Sequence, residues 1–495
     1  MPVNGWVFRI LAAMASVQPM NSNSSIVPNA VPPDSLVTFS TSHGVEVHAS
    51  LTRLGRFSVT FEVAGAGAEL QMSEVLSDFR VRTHGQHIHC GGAVISGMVN
   101  TGSATLCEAT LQEPWPLGDP ATRIGPAPDL GEGFASLVHT WSKLYRIRPE
   151  YKLAVAEIQG FLFDLRHWTE RNELALSSDT ADKNGRYAEQ IDQVIQPATD
   201  CLNTLFQKFE HIADEIEPEL APAHGTWVKR QLHPLLLCSP FMHRIYRKPL
   251  GYAGDYQMVD MILRDPHEGQ GFFAQLLNRW FLSQLPAEAH RNRVQMLTQC
   301  LREETLRAKT EKRRTRVYNL GCGPAGEVAA FLDQDDLSNW ADITLLDFNE
   351  ETLAFGRNAL ESIRSKNHRS TGLEFIKKSV VQILKGTKRT TGQEFDFVYC
   401  AGLFDYLTNR ACRQLMDAFY EMLAPGGLLL VTNVDRMNPI QNIMGYIFEW
   451  HLIYRDATQL EQLIPSAANR AQSLVKADAS GCNIFLQLRK PAIGA

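Results

Sequence analysis

The chain has 495 residues, enough for two or three domains that each bury their own core. Hydrophobic residues make up 44% and charged residues 21%, an ordinary globular balance, and the formal net charge of −6 gives no electrostatic reason to expect nucleic acid as a partner. No apolar run approaches the roughly 18 residues that cross a bilayer, which argues against integral membrane association. Nine scattered cysteines, odd in number and without a Cys-x-x-Cys pair, fit reduced thiols and a cytoplasmic protein. The apolar stretch around Trp6 to Ala15 is interrupted by Arg9 and has no basic region before it, so no signal peptide is expected.

Residues 1–33, rich in Ser, Asn and Pro, read as a disordered tail. Residues 34–112 carry short alternating apolar stretches, among them Phe57-Ser-Val59-Thr-Phe61-Glu-Val63, at the spacing of a small β-barrel. Within it, His84, His87, His89 and Cys90 have metal-ligand side chains. Alternation puts His87 and His89 on one strand face and Cys90 on the other, so no metal site is expected. The barrel is faintly similar to PilZ domains, which bind cyclic di-GMP through an Arg-x-x-x-Arg pair. Here only Arg53 and Arg56 stand near that place, so the barrel is degenerate in that respect.

Five prolines between Pro114 and Pro128 mark a linker, 113–132. Apolar residues at helical spacing then run through 133–310, as in Phe272-Phe273-Ala-Gln-Leu276-Leu277. Inside this helical domain, 248–256 (Lys-Pro-Leu-Gly-Tyr-Ala-Gly-Asp-Tyr) combines two glycines, two tyrosines and a carboxylate. That composition suits a binding loop, or a connector anchored by a tyrosine. The basic residues Arg307 to Arg316 read as a solvated helix end.

From 311 the pattern becomes α/β. An apolar strand ending Asn319-Leu320 runs into Gly321-Cys-Gly323-Pro-Ala-Gly326-Glu and a helix start. The glycines permit a tight turn and close approach of a ligand to main-chain N–H groups. The next strand, 343–347, ends in Asp347, whose carboxylate can accept both hydroxyls of a ribose, and Phe348 follows it. A later strand, 395–400, enters the loop Ala401-Gly402-Leu403-Phe404-Asp405-Tyr406, and a helix ending Leu423-Ala-Pro-Gly-Gly427 precedes a fifth strand.

This ordered set, over 311–490, resembles the class I S-adenosylmethionine-dependent methyltransferases, with a Rossmann-like α/β fold. The resemblance implies a donor site of Gly321, Gly323 and Gly326 around the methionine moiety, Asp347 and Phe348 at the ribose, Ser379 and Val380 beside the adenine, and Gly402 and Leu403 at the methionine end. The acidic residue that the family carries on its third strand is replaced here by Lys377-Lys378. With the 248–256 loop and Glu449-Trp-His-Leu-Ile-Tyr-Arg455, the chain is similar to bacterial methyltransferases that make 3-hydroxypalmitic acid methyl ester, a diffusible quorum signal. That implies O-methylation of a fatty-acid-like carboxylate. Tyr252, Asp255 and Tyr256 would meet His451, Tyr454 and Arg455 of an insert, 436–465, around a small amphiphilic acceptor. Ile440, Ile443, Ile447 and Trp450 give that insert one apolar face, which suits a lid over the acceptor or a helix packed on the core. Methylation of an amine or hydroxyl, a dehydrogenase binding NAD, and a non-catalytic ligand-sensing regulator are the competing readings.

Overall fold

The computed structural model describes residues 35–492 apart from 65–69, 84–85, 101–103, most of 114–145, 177–186, 265, 387–393 and 470–471. The tail, the proline-rich linker and the side chains of His84, His87 and His89 lie outside what is described. Among the described residues no cluster of potential metal ligands occurs, all nine cysteines are free, and no helix is long and apolar enough to cross a membrane.

Six antiparallel strands, β1 (Leu36–Ser40), β2 (Glu46–Leu54), β3 (Ser58–Ala64), β4 (Val75–Thr83), β5 (Gln86–Asn100) and β6 (Ala104–Leu111), close into a barrel in the order β1-β2-β3-β6-β5-β4. Closure leaves no unpaired edge, and strict alternation, as in β2, turns every second side chain inward. The interior is filled by Phe39, Phe61 and Phe79, whose ring centroids stand 5.3 to 5.9 Å apart.

The helical region comprises α1 (Pro149–Leu176), α2 (Ala188–Asp214), α3 (Ala221–Leu236), α4 (Pro240–Arg247), α5 (Tyr256–Leu263), α6 (Phe272–Leu282) and α7 (Leu285–Thr310). Its buried side chains are continuous with the barrel interior and with Ile440, Ile443, Ile447 and Trp450 of the insert. The apolar face of the insert is therefore packed into the helical core.

The α/β domain alternates β7 (Thr315–Leu320), α8 (Gly326–Gln334), β8 (Ala341–Asp347), α9 (Glu350–Lys366), β9 (Gly372–Lys377), α10 (Val380–Gly386), β10 (Phe395–Cys400), α11 (Asn409–Met422) and β11 (Leu423–Val434). After α12 (Ala457–Glu461) come β12 (Ser473–Ala477) and β13 (Asn483–Arg489). The sheet order is β12-β13-β11-β10-β7-β8-β9, with β13 antiparallel to β11 and the five strands β7 to β11 parallel. Strand order reverses between β7 and β10, and at such a switch point the loops diverge and leave a crevice outside the carboxyl ends of the strands. Gly321 follows β7 and Gly402 follows β10, so both turns open into that crevice.

Candidate functional site

A cavity of about 1470 Å³, counting its open mouth, occupies the crevice. All nine residues expected at the donor line it: Gly321, Gly323, Gly326, Asp347, Phe348, Ser379, Val380, Gly402 and Leu403. The turn after β7 is strained in the way only glycine tolerates cheaply, with φ of +70° at Gly321 and +53° at Gly323. A β-carbon added at Gly323 would meet no atom within 4 Å and would project into open space, a cradle for a ligand rather than a packing contact. Gly326 differs. A β-carbon there would come within 2.8 Å of Leu263, so its smallness seats α8 against α5 of the helical region, not only against its own strand.

Asp347 ends β8 and is buried. One carboxylate oxygen accepts the Gly323 N–H at 3.3 Å and the other the Asn349 N–H at 3.0 Å. The Phe348 N–H also acts on the carboxylate, whose lone-pair capacity of about four positions still leaves room for a ribose hydroxyl. Burial pushes its pKa up to about 6, against the opposing pull of those main-chain donors. Phe348 packs between Tyr252, with centroids 5.4 Å apart, and His43 of the barrel, 4.4 Å away. Ser379 and Val380 begin α10 beyond β9, and the Lys378 N–H donates to the Asp347 carbonyl at 2.9 Å.

The residues expected at the acceptor separate into two groups. Tyr252 and Tyr256 line the cavity, with the Tyr256 hydroxyl donating to Glu351 at 2.8 Å. Asp255 does not line it. It caps α5 by accepting the Met258 N–H and forms a two-pronged ion pair with Arg244 at 2.8 and 2.7 Å, so it holds the loop rather than a ligand. His451, Tyr454 and Arg455 also stand back from the cavity. His451 packs its ring against Gly445, and burial lowers its pKa to about 4. The Tyr454 hydroxyl accepts from Asn438 at 3.2 Å. Arg455 is 2% exposed and donates to the carbonyls of Phe404 and Leu407 and to Asn409 and Asn433 at 2.6 to 2.9 Å. These bonds consume the guanidinium in fixing the loop after β10, which corrects its expected role as an acceptor anchor.

What the insert brings to the cavity instead is Asn438, Met444, Trp450 and Leu452. The Trp450 indole donates to the Tyr406 hydroxyl at 3.0 Å, and a β-carbon at Gly254 would fall 2.3 Å from that same oxygen. A glycine is thus required where the 248–256 loop crosses Tyr406. The segment is pinned from behind by Lys229 on Glu449, by the Lys248 ammonium on the Phe448 carbonyl at 3.1 Å, and by Glu210 accepting two N–H groups at Asn442 and Ile443.

Several lining residues were not singled out from sequence. Arg293 of α7 and Asp405 reach the cavity, as do His43 and Gln71 of the barrel. Asp405 accepts the Val434 N–H at 2.7 Å, and burial pushes its pKa up to about 6. Its place at the carboxyl end of β10 was the available signal. His43 and Gln71 sit on turns tied together by buried Glu74, which accepts from the Ser42 N–H and hydroxyl and from the Gln71 N–H at 2.7 to 2.9 Å.

Residues 317–427 match the family model described as a methyltransferase domain. A search of curated proteins finds no match. Among solved structures, the chain is similar to a possible exported protein from Bordetella parapertussis, at 15% identity over 64% of this chain and 99% of that one, with a TM-score of 0.39. It is also similar to magnesium protoporphyrin IX methyltransferase from Synechocystis PCC 6803 with bound S-adenosylhomocysteine, at 12% identity over 54% and 99%, TM-score 0.33. A third is the N-methyltransferase NodS from Bradyrhizobium japonicum WM9, at 16% identity over 48% and 98%, TM-score 0.30. A glycine turn open to a switch-point cavity, a carboxylate with lone pairs open beside it and a matching family model over the same strands lead to one conclusion: the chain carries a methyltransferase domain.

Proposed function

We propose that this protein methylates a small amphiphilic molecule, with a fatty-acid-like carboxylate as the acceptor. The observation that carries the reading is the continuity of one cavity from the donor residues, Gly323, Asp347 and Ser379, into an apolar chamber of Val434, Met444, Trp450 and Leu452. The donor in this reading is S-adenosylmethionine, which when bound supplies an electrophilic methyl group. The Gly321–Gly323 turn and Asp347 would fix its position, and the chamber would hold an acyl chain so that the acceptor oxygen lies in line with that methyl. Orientation of this kind accounts for much of the rate gain in such transfers. A carboxylate is ionised at neutral pH and needs no base, so the chain's work is positioning and exclusion of water. The resemblance to enzymes that make 3-hydroxypalmitic acid methyl ester, and a PilZ-like origin for the six-stranded barrel, belong to the same proposal, as does a cytoplasmic location.

A hydroxyl or amine acceptor is the second reading, and Asp405 is the observation that favours it. A buried carboxylate with a pKa of about 6 in the cavity is suited to act as a general base. The experiment combines calorimetry of S-adenosylhomocysteine binding with mass spectrometry of a cell extract and of sodium 3-hydroxypalmitate incubated with protein and donor. Donor binding with conversion of the acid to its methyl ester is expected. Donor binding with a methylated alcohol or amine, lost about a hundredfold or more in Asp405→Asn, would replace the carboxylate with the second reading. Absence of donor binding would overturn both.

A further inference from the structure

Arg293 is the guanidinium that lines the cavity, and its environment is unlike that of Arg455. It projects from α7, the helix before β7, and is 8% exposed. The side chain lies over the turn after β10, where a β-carbon placed on Gly402 would come within 2.8 Å of Nη1 and 3.3 Å of Cζ. Gly402, with φ of +91°, is the residue that leaves room for it. Among the described residues, the guanidinium has no hydrogen-bond or ion-pair partner at bonding distance.

None of its nitrogens is among the fully buried polar atoms left without a partner, so they keep access to the cavity, and a largely desolvated cation with no counter-charge at bonding distance stands at the cavity wall. The acids whose fields reach Arg293 are Asp405 and Glu327, and each is otherwise engaged. Asp405 accepts the Val434 N–H, whereas Glu327 accepts from the Tyr399 hydroxyl at 2.7 Å and from Asn319 at 3.1 Å. Arginine stays charged under all ordinary conditions, and its planar fork matches a carboxylate through two parallel hydrogen bonds. The fork lies against Gly402 in the cavity that the donor turn, Asp405 and Tyr406 also line.

We propose that Arg293 is the carboxylate receptor of this cavity, a binding residue that takes over the part the sequence pattern assigned to Arg455. The inference rests on the methyl-donor reading, since two molecules in that reading carry a carboxylate: the methionine end of the donor and an acidic acceptor. A carboxylate from either source completes the buried charge pair.

The test compares wild type, Arg293→Met and Arg293→Lys as full-length proteins, with thermal melting to establish that each is folded. Calorimetry first measures S-adenosylmethionine against decarboxylated S-adenosylmethionine, which differs only in that group. Titration of sodium palmitate and of palmitamide into the protein loaded with S-adenosylhomocysteine follows. If the donor's carboxylate is the ligand, wild type favours the carboxylated donor more than tenfold. Arg293→Met then binds the two donors within about twofold of each other, and Arg293→Lys recovers part of the preference. If the acceptor's carboxylate is the ligand, the donor preference survives in Arg293→Met, while palmitate binding weakens more than tenfold and palmitamide binding is unchanged. A folded Arg293→Met protein that keeps both the wild-type donor preference and whatever palmitate affinity wild type has overturns the proposal. A wild-type protein that binds neither donor form overturns the methyl-donor reading beneath it, so the two failures are distinguishable.

Discussion

Asp347→Asn is expected to stabilise the donor-free protein while weakening donor binding, and the two effects share one cause. In the folded chain the carboxyl is buried, and its pKa rises from 3.8 to about 6. Holding it ionised at neutral pH therefore costs about 3 kcal/mol of folding free energy. The sign follows from linkage. Below 3.8 the carboxyl is protonated both folded and unfolded and carries no penalty, the penalty grows as pH rises from 3.8 to about 6, and above that it is constant. A carboxamide has no such charge, but its NH₂ must oppose either Gly323 or Asn349, each of which now donates to an oxygen. That clash returns about 1 kcal/mol or more. A net gain of about 1–2 kcal/mol at pH 7.5, falling with pH and turning into a net loss of up to about 1 kcal/mol near pH 4 and below, is expected in urea denaturation. Donor affinity should fall by about 1.5–3 kcal/mol, the scale of hydrogen bonds to an ionised group. Wild-type donor affinity should also decline as pH falls through about 6, and the variant's should not. Destabilisation at pH 7.5 together with unchanged donor affinity would refute the assignment of this carboxylate to the ribose.

Gly323→Val should abolish calorimetric donor binding in a chain that still folds. The left-handed conformation costs a branched residue about 1–2 kcal/mol, and its side chain enters the open cavity; normal donor affinity would mean the turn does not face the ligand. Arg455→Met should lower stability by at least about 3 kcal/mol, because three buried acceptors, on Phe404, Leu407 and Asn433, lose their donor. Urea midpoints measure it, and a variant of normal stability with a raised acceptor KM would restore Arg455 to the acceptor site. Asp255→Asn should act through its ion pair with Arg244, reducing stability before any effect on donor affinity; an acceptor KM defect at wild-type stability would contradict that.

The gathering of the expected donor residues around one cavity was legible because its determinants are local. A glycine turn, an acidic strand end and the first residues after β9 each depend on a few neighbouring positions, and parallel strand order carries them to the same edge. The acceptor side was not, because its character depends on which polar groups are already satisfied. Nothing in Tyr454-Arg455 distinguishes a guanidinium offered to a ligand from one spent on the carbonyls of Phe404 and Leu407. Asp255 carried a readable helix-cap position ahead of α5, yet its neighbouring tyrosines made it look like chemistry. Arg293 lies in an unremarkable amphipathic helix, and only the approach of α7 to Gly402 gives it meaning. His43 and Gln71 come from a barrel about 300 residues away in sequence from the sheet they face.

That distant contribution bears on how the chamber is built. The carboxyl edge of a parallel sheet supplies a floor and one wall, and here Tyr406 is where the other walls meet. Its hydroxyl accepts from Trp450 of the insert and crowds Gly254 of the helical loop, and its carbonyl accepts the Met72 N–H of the barrel at 3.5 Å. Ser73 adds a second seam, its hydroxyl bonding the main chain of Glu449 and His451. Because barrel, helices and insert share one apolar core, opening the chamber by swinging the barrel away would expose that core along with the seam. At about 25 cal/mol per Å² of apolar surface, even a few hundred Å² makes such a motion cost several kcal/mol. An acceptor reaching the donor would therefore enter by the existing mouth, and the barrel acts as a fixed wall whose Glu74-braced turns set how much of the chamber His43 and Gln71 occupy.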